Sequence, residues 1–254
     1  MTFIHNLPIL NITSPKIAFK AAAPAYTPMP DKVFGSGDSF VSNPLKQGFT
    51  FEQIEKAARS NPKIREILNS HGLKFNINRS ELEKLKDGHL ASTRIRATQI
   101  YSELPAELKR EVNLPNLQFA AMWHDIGKIF IPDDILNKKE KLTNSDFESI
   151  KLHSELGAEL LKSLGANEEV CNLVKYHHQK YDGSGYPEIE KDFDDSVALE
   201  ILRVADEYDA LTENRSYRSE MSKQEALEIV AKDAQNGIAS PSVLEALNSS
   251  VKKF

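Results

Sequence analysis

The stretch "TNSDFESIKLHSELGAELLKSLG", residues 143–165, reads as one long helix. Thr143 and Asp146 stand at capping-box spacing, and Gly165 supplies a stop that tolerates the left-handed conformation. Ile150, Leu156 and Leu160 form an apolar stripe at helical spacing, and His153 sits in the same helix. The pattern repeats on both sides. "TFEQIEKAARS" and "PKIREILNSHG" show apolar residues three and four apart and end in breakers. "SELEKLKDGHLASTRIRATQIYSEL" continues helically, with a break expected near Gly88. From Leu117 onward come "LQFAAMWHDIGK", apolar enough to be buried, then "NEEVCNLVKYHH" and "VALEILRVADEYDALTEN". "SKQEALEIVAKDAQNG" has a capping box in Ser222 and Glu225, and "SPSVLEALNSSV" has Ser at the cap and Pro at the first helical position. No alternating strand pattern and no internal repeat occurs, so the expected class is all-α.

The first 48 residues differ. They hold Pro8, Pro15, Pro24, Pro28, Pro30 and Pro44, six of the twelve prolines, and show no helical period. Residues 1–48 therefore read as a disordered or extended arm whose apolar opening suits a protein partner. Residues 49–80 read as a helical lead-in of unknown role, and 81–254 as the functional domain. At 254 residues with net charge −5, the chain lacks the basic surface that DNA binding needs. No apolar run is long enough for a membrane span. No basic segment precedes the apolar start, so a secretory leader is not expected. The single cysteine, Cys171, excludes an internal disulfide and suits a cytoplasmic setting.

Of the seven histidines, His5 falls in the arm and His71 stands at a helix end beside Gly72, where a histidine meets the helix dipole favourably. His89, His124, His153, His177 and His178 remain, with Asp125 and Asp206. Each taken singly has a structural reading. Together they are five imidazoles and two carboxylates on predicted helices, the ligand stock for two divalent ions that favour nitrogen with oxygen. Asp125 has two oxygens and can bridge such a pair, and two ions about 3.5–4 Å apart clamp a phosphoryl group for in-line attack. Lys128 lies one turn beyond His124. The turn "DGSGYP", 182–187, permits close backbone approach at Gly183 and Gly185.

"HDIGK" at 124–128, the histidine of "HSELG", "HHQKYDGSGYP", "VADEYDALT" and "RSYR" at 215–218 resemble, in that order, the HD-GYP phosphodiesterases, a branch of the HD superfamily of metal-dependent phosphohydrolases. The resemblance spans about residues 85–247. It implies an HD helical bundle with added C-terminal helices and hydrolysis of cyclic di-GMP to pGpG or GMP by a metal-activated hydroxide at a dinuclear centre. It implies bacterial signalling, a cytoplasmic enzyme and a possible homodimer. One ion falls to His89, His124, Asp125 and Asp206, and the second to Asp125, His153, His177 and His178. Fe or Mn is implied first, with Ni, Co or Zn as alternatives. Lys128 is expected to stabilise phosphate charge beside Asp125. Tyr186, Arg215 and Arg218 are expected to contact the nucleotide, since the planar fork of arginine suits phosphate. Three positions depart from the family pattern. Leu85 replaces a glutamate that serves a third metal in some members, Gln179 replaces the usual glutamate after the histidine pair, and Ser216 replaces a proline. The acidic run "EIEKDFDDS" after the turn is expected to narrow the substrate approach. Two other activities fit the same residues: a cyclic-dinucleotide receptor with little catalysis, and an HD phosphohydrolase acting on another nucleotide.

Overall fold

The computed structural model describes residues 48–85, 90–190, 193, 195–213, 221–235 and 237–254. The arm predicted over 1–48 falls, but for residue 48, outside the described residues, as do His89, Arg215 and Arg218. What is described lies within one unit, Asp31–Phe254, and is all-α, with no strand among the described residues. The helices are α1 (Phe51–Ser60), α2 (Pro62–Ser70), α3 (Arg79–Lys84), α4 (Leu90–Glu103), α5 (Ala106–Lys109), α6 (Leu114–Trp123), α7 (Asp133–Leu136), α8 (Asn144–Ser163), α9 (Glu168–Tyr176), α10 (Val197–Thr212), α11 (Lys223–Ala234) and α12 (Pro241–Lys253), with a 3₁₀ turn at Ile126–Phe130 between α6 and α7.

The caps read from sequence form as expected. Thr143 accepts from the Asp146 N–H, and the Asp146 side chain accepts from the Thr143 N–H at 2.8 Å. Ser222 and Glu225 do the same for α11. Gly165, at φ +91°, follows the end of α8 in the left-handed region. Ser240 caps α12 differently: its N–H donates to Glu200 Oε2 at 2.8 Å. His71 is the C-cap of α2, its Nδ1 donating to the Ile67 carbonyl, so it is a helix-end residue as read.

Helix α6 buries residues around its circumference, including Leu117, Phe119, Ala120, Ala121 and Trp123. A helix apolar on every side belongs inside, and α6 packs against α4, α9 and α10. Helices α8 and α9 pack against each other, and α12 lies on α4. Leu156, Leu160 and Leu161 of α8 are fully buried, each worth about 1.5–3 kcal/mol over exposure. The lead-in joins the same core: α1 and α2 pack on α8, Phe49 meets Trp123 with ring centres 5.3 Å apart, and the Asn78 N–H donates to Ile129 O at 2.7 Å.

One close approach positions the site. A Cβ added to Gly127 would stand 1.9 Å from the His153 carbonyl oxygen and 2.6 Å from the Gly157 nitrogen. Only glycine lets the 3₁₀ turn lie against α8, and that contact carries Asp125 to His153.

Candidate metal centre

His124 closes α6 and Asp125 opens the 3₁₀ turn, so the break in helix type points the two neighbours into one space. His153 enters it from the middle of α8, His177 and His178 from the end of α9, and Asp206 from α10. The ligand-type atoms of His153, His177 and His178 all lie within 4.8 Å of one another, and so do those of His124, His177 and Asp206. His177 therefore faces both sets. Asp125 spans them, with Oδ2 3.5 Å from His124 Nε2 and Oδ1 3.3 Å from His153 Nε2. Asp206 Oδ1 is 3.3 Å from His124 Nε2.

The protons show what the space is suited to hold. Nδ1 of His124, His153 and His177 lies 2.9, 2.7 and 2.7 Å from the carbonyl oxygen three residues earlier. A carbonyl oxygen only accepts, so each Nδ1 carries the hydrogen and each Nε2 of a neutral ring presents a lone pair. Burial, first, pushes the His153 and His178 rings down to about 3 and the His177 ring well below its ordinary range. The rings are neutral at neutral pH. His153 Nε2 and His177 Nε2 then face each other at 3.3 Å as two acceptors. Two lone pairs at that distance repel unless a cation lies between. Burial opposes charge on Asp206, but a proton shared with His124 Nε2 outweighs burial and holds the carboxyl below its ordinary range, a place that a cation between the two would take. Imidazole nitrogens with carboxylate oxygens are the donor set of a divalent first-row metal, so these groups are positioned to bind metal.

Of the remaining predicted residues, Lys128 and Tyr186 border this centre. Lys128 Nζ lies 2.5 Å from Asp125 Oδ2. Tyr186 stacks on His178, centroids 4.7 Å apart and 28° between planes. Its phenol is raised, first by burial and then by Asp125 and Asp206, so it stays a neutral hydroxyl. Leu85 is core, 4% exposed, and offers no ligand.

Gln179 is fully buried. Its Oε1 accepts from the N–H groups of Lys180 and Gly185, both at 2.8 Å, and its Nε2 donates to Pro187 O at 2.7 Å. The side chain braces the glycine-rich turn, and a carboxylate could not donate that last bond. A Cβ at Gly185 would lie 2.1 Å from His178 O, so glycine allows the turn to fold back over the histidine pair. Buried Arg203 anchors the same corner through Gln179 O at 2.9 Å, Ile238 O at 2.8 Å and Asp195 Oδ1 at 2.7 Å. The acidic run after the turn is thus partly tied inward: Asp195 pairs with Arg203, and Glu190 with Lys175.

An HD domain family model matches residues 76–242, the segment that supplies every ligand above. The chain belongs to the HD domain family. Among curated relatives of this HD domain, a cyclic di-GMP phosphodiesterase of Thermotoga maritima is 37% identical over 140 residues, 54% of this chain and 37% of the relative. A 3′3′-cGAMP-specific phosphodiesterase of Vibrio cholerae is 32% identical over 145 residues, 55% of this chain and 34% of the relative. The matched stretch spans about a third of the length of these relatives. The solved structure of an HDG"Y"P protein from Bdellovibrio bacteriovorus shares the fold, with TM-score 0.51 at 17% identity, over 80% of this chain and 66% of that one. The HD-GYP resemblance read from the five blocks is thereby borne out. No helix among the described residues is long and apolar enough to cross a membrane.

Sequence reasoning missed two features of the HD centre. Gln179 read as a lost carboxylate, and only the folded turn shows its three bonds. Phe147 read as one residue of a helix, yet its ring lies 6.4 Å from that of Tyr186. The available signal was an aromatic residue off the apolar stripe of α8, six positions before the ligand histidine.

Proposed function

We propose that the chain is a metal-dependent phosphodiesterase that hydrolyses a cyclic dinucleotide, cyclic di-GMP first, at a dinuclear centre. The observation that carries this reading is the pair of ligand sets that meet at His177 and are spanned by Asp125. The proposed ligands are His89, His124, Asp125 and Asp206 for one ion and Asp125, His153, His177 and His178 for the other, with Fe or Mn the preferred metal. When bound, the ions supply Lewis acidity toward phosphoryl oxygens and an acidified water.

The chain's own groups do the rest. The Nδ1–H bonds of His124, His153 and His177 to backbone carbonyls fix ring orientation and tautomer, which holds the lone pairs on the reacting phosphate's side. Lys128, held at Asp125, brings positive charge to the entrance. Tyr186, a neutral phenol stacked on His178, donates to a phosphate oxygen, and Arg215 and Arg218 contact the nucleotide. As water oxygen bonds to phosphorus, the ester bond to the departing 3′ oxygen breaks and that oxygen takes up the proton the water gives, leaving linear pGpG, and a second hydrolysis of the same kind gives GMP. Residues 81–254 form the working domain, with 49–80 bracing it through Phe49 and Asn78.

The test is turnover by metal-loaded protein of a panel containing cyclic di-GMP and 3′3′-cGAMP. Asp125→Ala is expected to keep its helical circular dichroism, lose bound metal on elemental analysis, and lose at least about 100-fold in activity, the upper end of what an outer partner of a metal ligand costs. A folded variant with full activity sinks the reading. So does a wild-type protein with its full metal complement that binds these nucleotides and releases no product.

A further inference from the structure

A scissile phosphate fills only the space over the histidines. If the substrate is a cyclic dinucleotide, on which this inference rests, its bases and sugars must lie beyond that space. One flank is a cavity of about 340 Å³ whose lining mixes Lys180 and Arg203 with Asp206, Glu207 and Asp233 and offers no aromatic ring but the imidazoles. The Tyr186 flank is aromatic. Beyond Tyr186, whose ring stacks on His178, lies Phe147 on the first turns of α8, edge to face at 80°. Phe147 is 46% exposed, so its ring contributes little to the core. One turn on, Lys151 holds its ammonium 5.0 Å from the Phe147 ring centre and 5.7 Å from that of Tyr186, and pairs with Glu148 at 2.7 Å. From the centre outward the order is imidazole, phenol, exposed phenyl, with a cation over the last two. Sequence-tolerant nucleotide sites are built this way, from aromatic faces beside positive charge.

We propose that Phe147, backed by Lys151, is the base-stacking rim of this site, taking a purine of the substrate while its phosphate lies over the histidines. Phe147 is then a binding residue that supplies affinity and sets where the substrate lies. The experiment compares two ligands with one phosphate each, GMP and base-free ribose 5-phosphate, by equilibrium dialysis against the metal-loaded full chain. Wild type is expected to bind GMP about tenfold more tightly, within the range of one base–aromatic stack. Phe147→Ala is expected to bring the ratio to within about twofold of unity, with metal content and ribose 5-phosphate affinity unchanged, and Phe147→Trp to keep the preference. No preference in wild type, a preference that survives Phe147→Ala, or an equal loss of both ligands overturns the proposal. Turnover of cyclic dinucleotides is scored separately. A GMP preference that depends on Phe147, without turnover, supports the rim and sinks the catalytic reading.

Discussion

Gln179 shows how one side chain can hold a loop. It accepts two N–H groups and donates one bond from a fully buried side chain. Gln179→Leu keeps the bulk and takes the partner from those three part-buried backbone groups, each a cost of about 1 kcal/mol. Urea unfolding is expected to show a loss of about 2–3 kcal/mol for Leu and a smaller one for Gln179→Glu, which keeps the two accepted bonds but opposes the Pro187 carbonyl. A neutral Leu variant would remove Gln179 from this role. At this scale the sequence was legible for chemistry and not for contacts. Five imidazoles and two carboxylates could be counted, and the resemblance assigned them. Nothing in "HHQKYDGSGYP" told that Gln179 turns toward Gly185 and Pro187, because that depends on how the turn folds back.

At the scale of elements, the contact of the 3₁₀ turn with α8 brings the ligands together. Gly127→Ala puts a methyl group into the backbone of His153. Neither backbone can yield cheaply, so a cost at or above the usual overpacking range of about 1–3 kcal/mol is expected, together with weaker metal binding. Gly157→Ala is a control across the same contact. Its Cβ would meet the Gly127 nitrogen and a Val174 methyl group at 3.2 Å each, so it should cost less in the same denaturation series. Equal costs would show that the approach of the turn to α8 is not what the glycine protects. Helix positions and caps were largely readable here, since a cap is a local bond between residues three apart. The end of α9 was read two residues late: the helix stops at Tyr176, and His177 is its cap. A histidine run carries no stop signal, and the requirement that the rings face the other helices ends it.

For the whole molecule, the centre joins α6, α8, α9 and α10, so ligand binding is linked to folding. Metal that binds the folded chain alone, supplied at about 100 times its Kd, adds about 2.7 kcal/mol. For a body of this size that raises Tm by about 5–10 °C. Thermal melts of metal-stripped protein with and without added Mn(II) or Fe(II) measure this, and a chelator should reverse it. A Tm indifferent to either ion would mean that the facing lone pairs are accommodated without a cation.

The sequence by itself determined the helical class, the caps and the inventory of donor atoms, because these follow from residue type and short-range spacing. Only the tertiary structure decided that His177 stands where the two candidate ligand sets meet, that Asp125 spans them, and that Phe147 stands beside Tyr186. Those facts depend on distances between residues tens of positions apart, and such distances are set by core packing and by where a glycine lets two backbones touch.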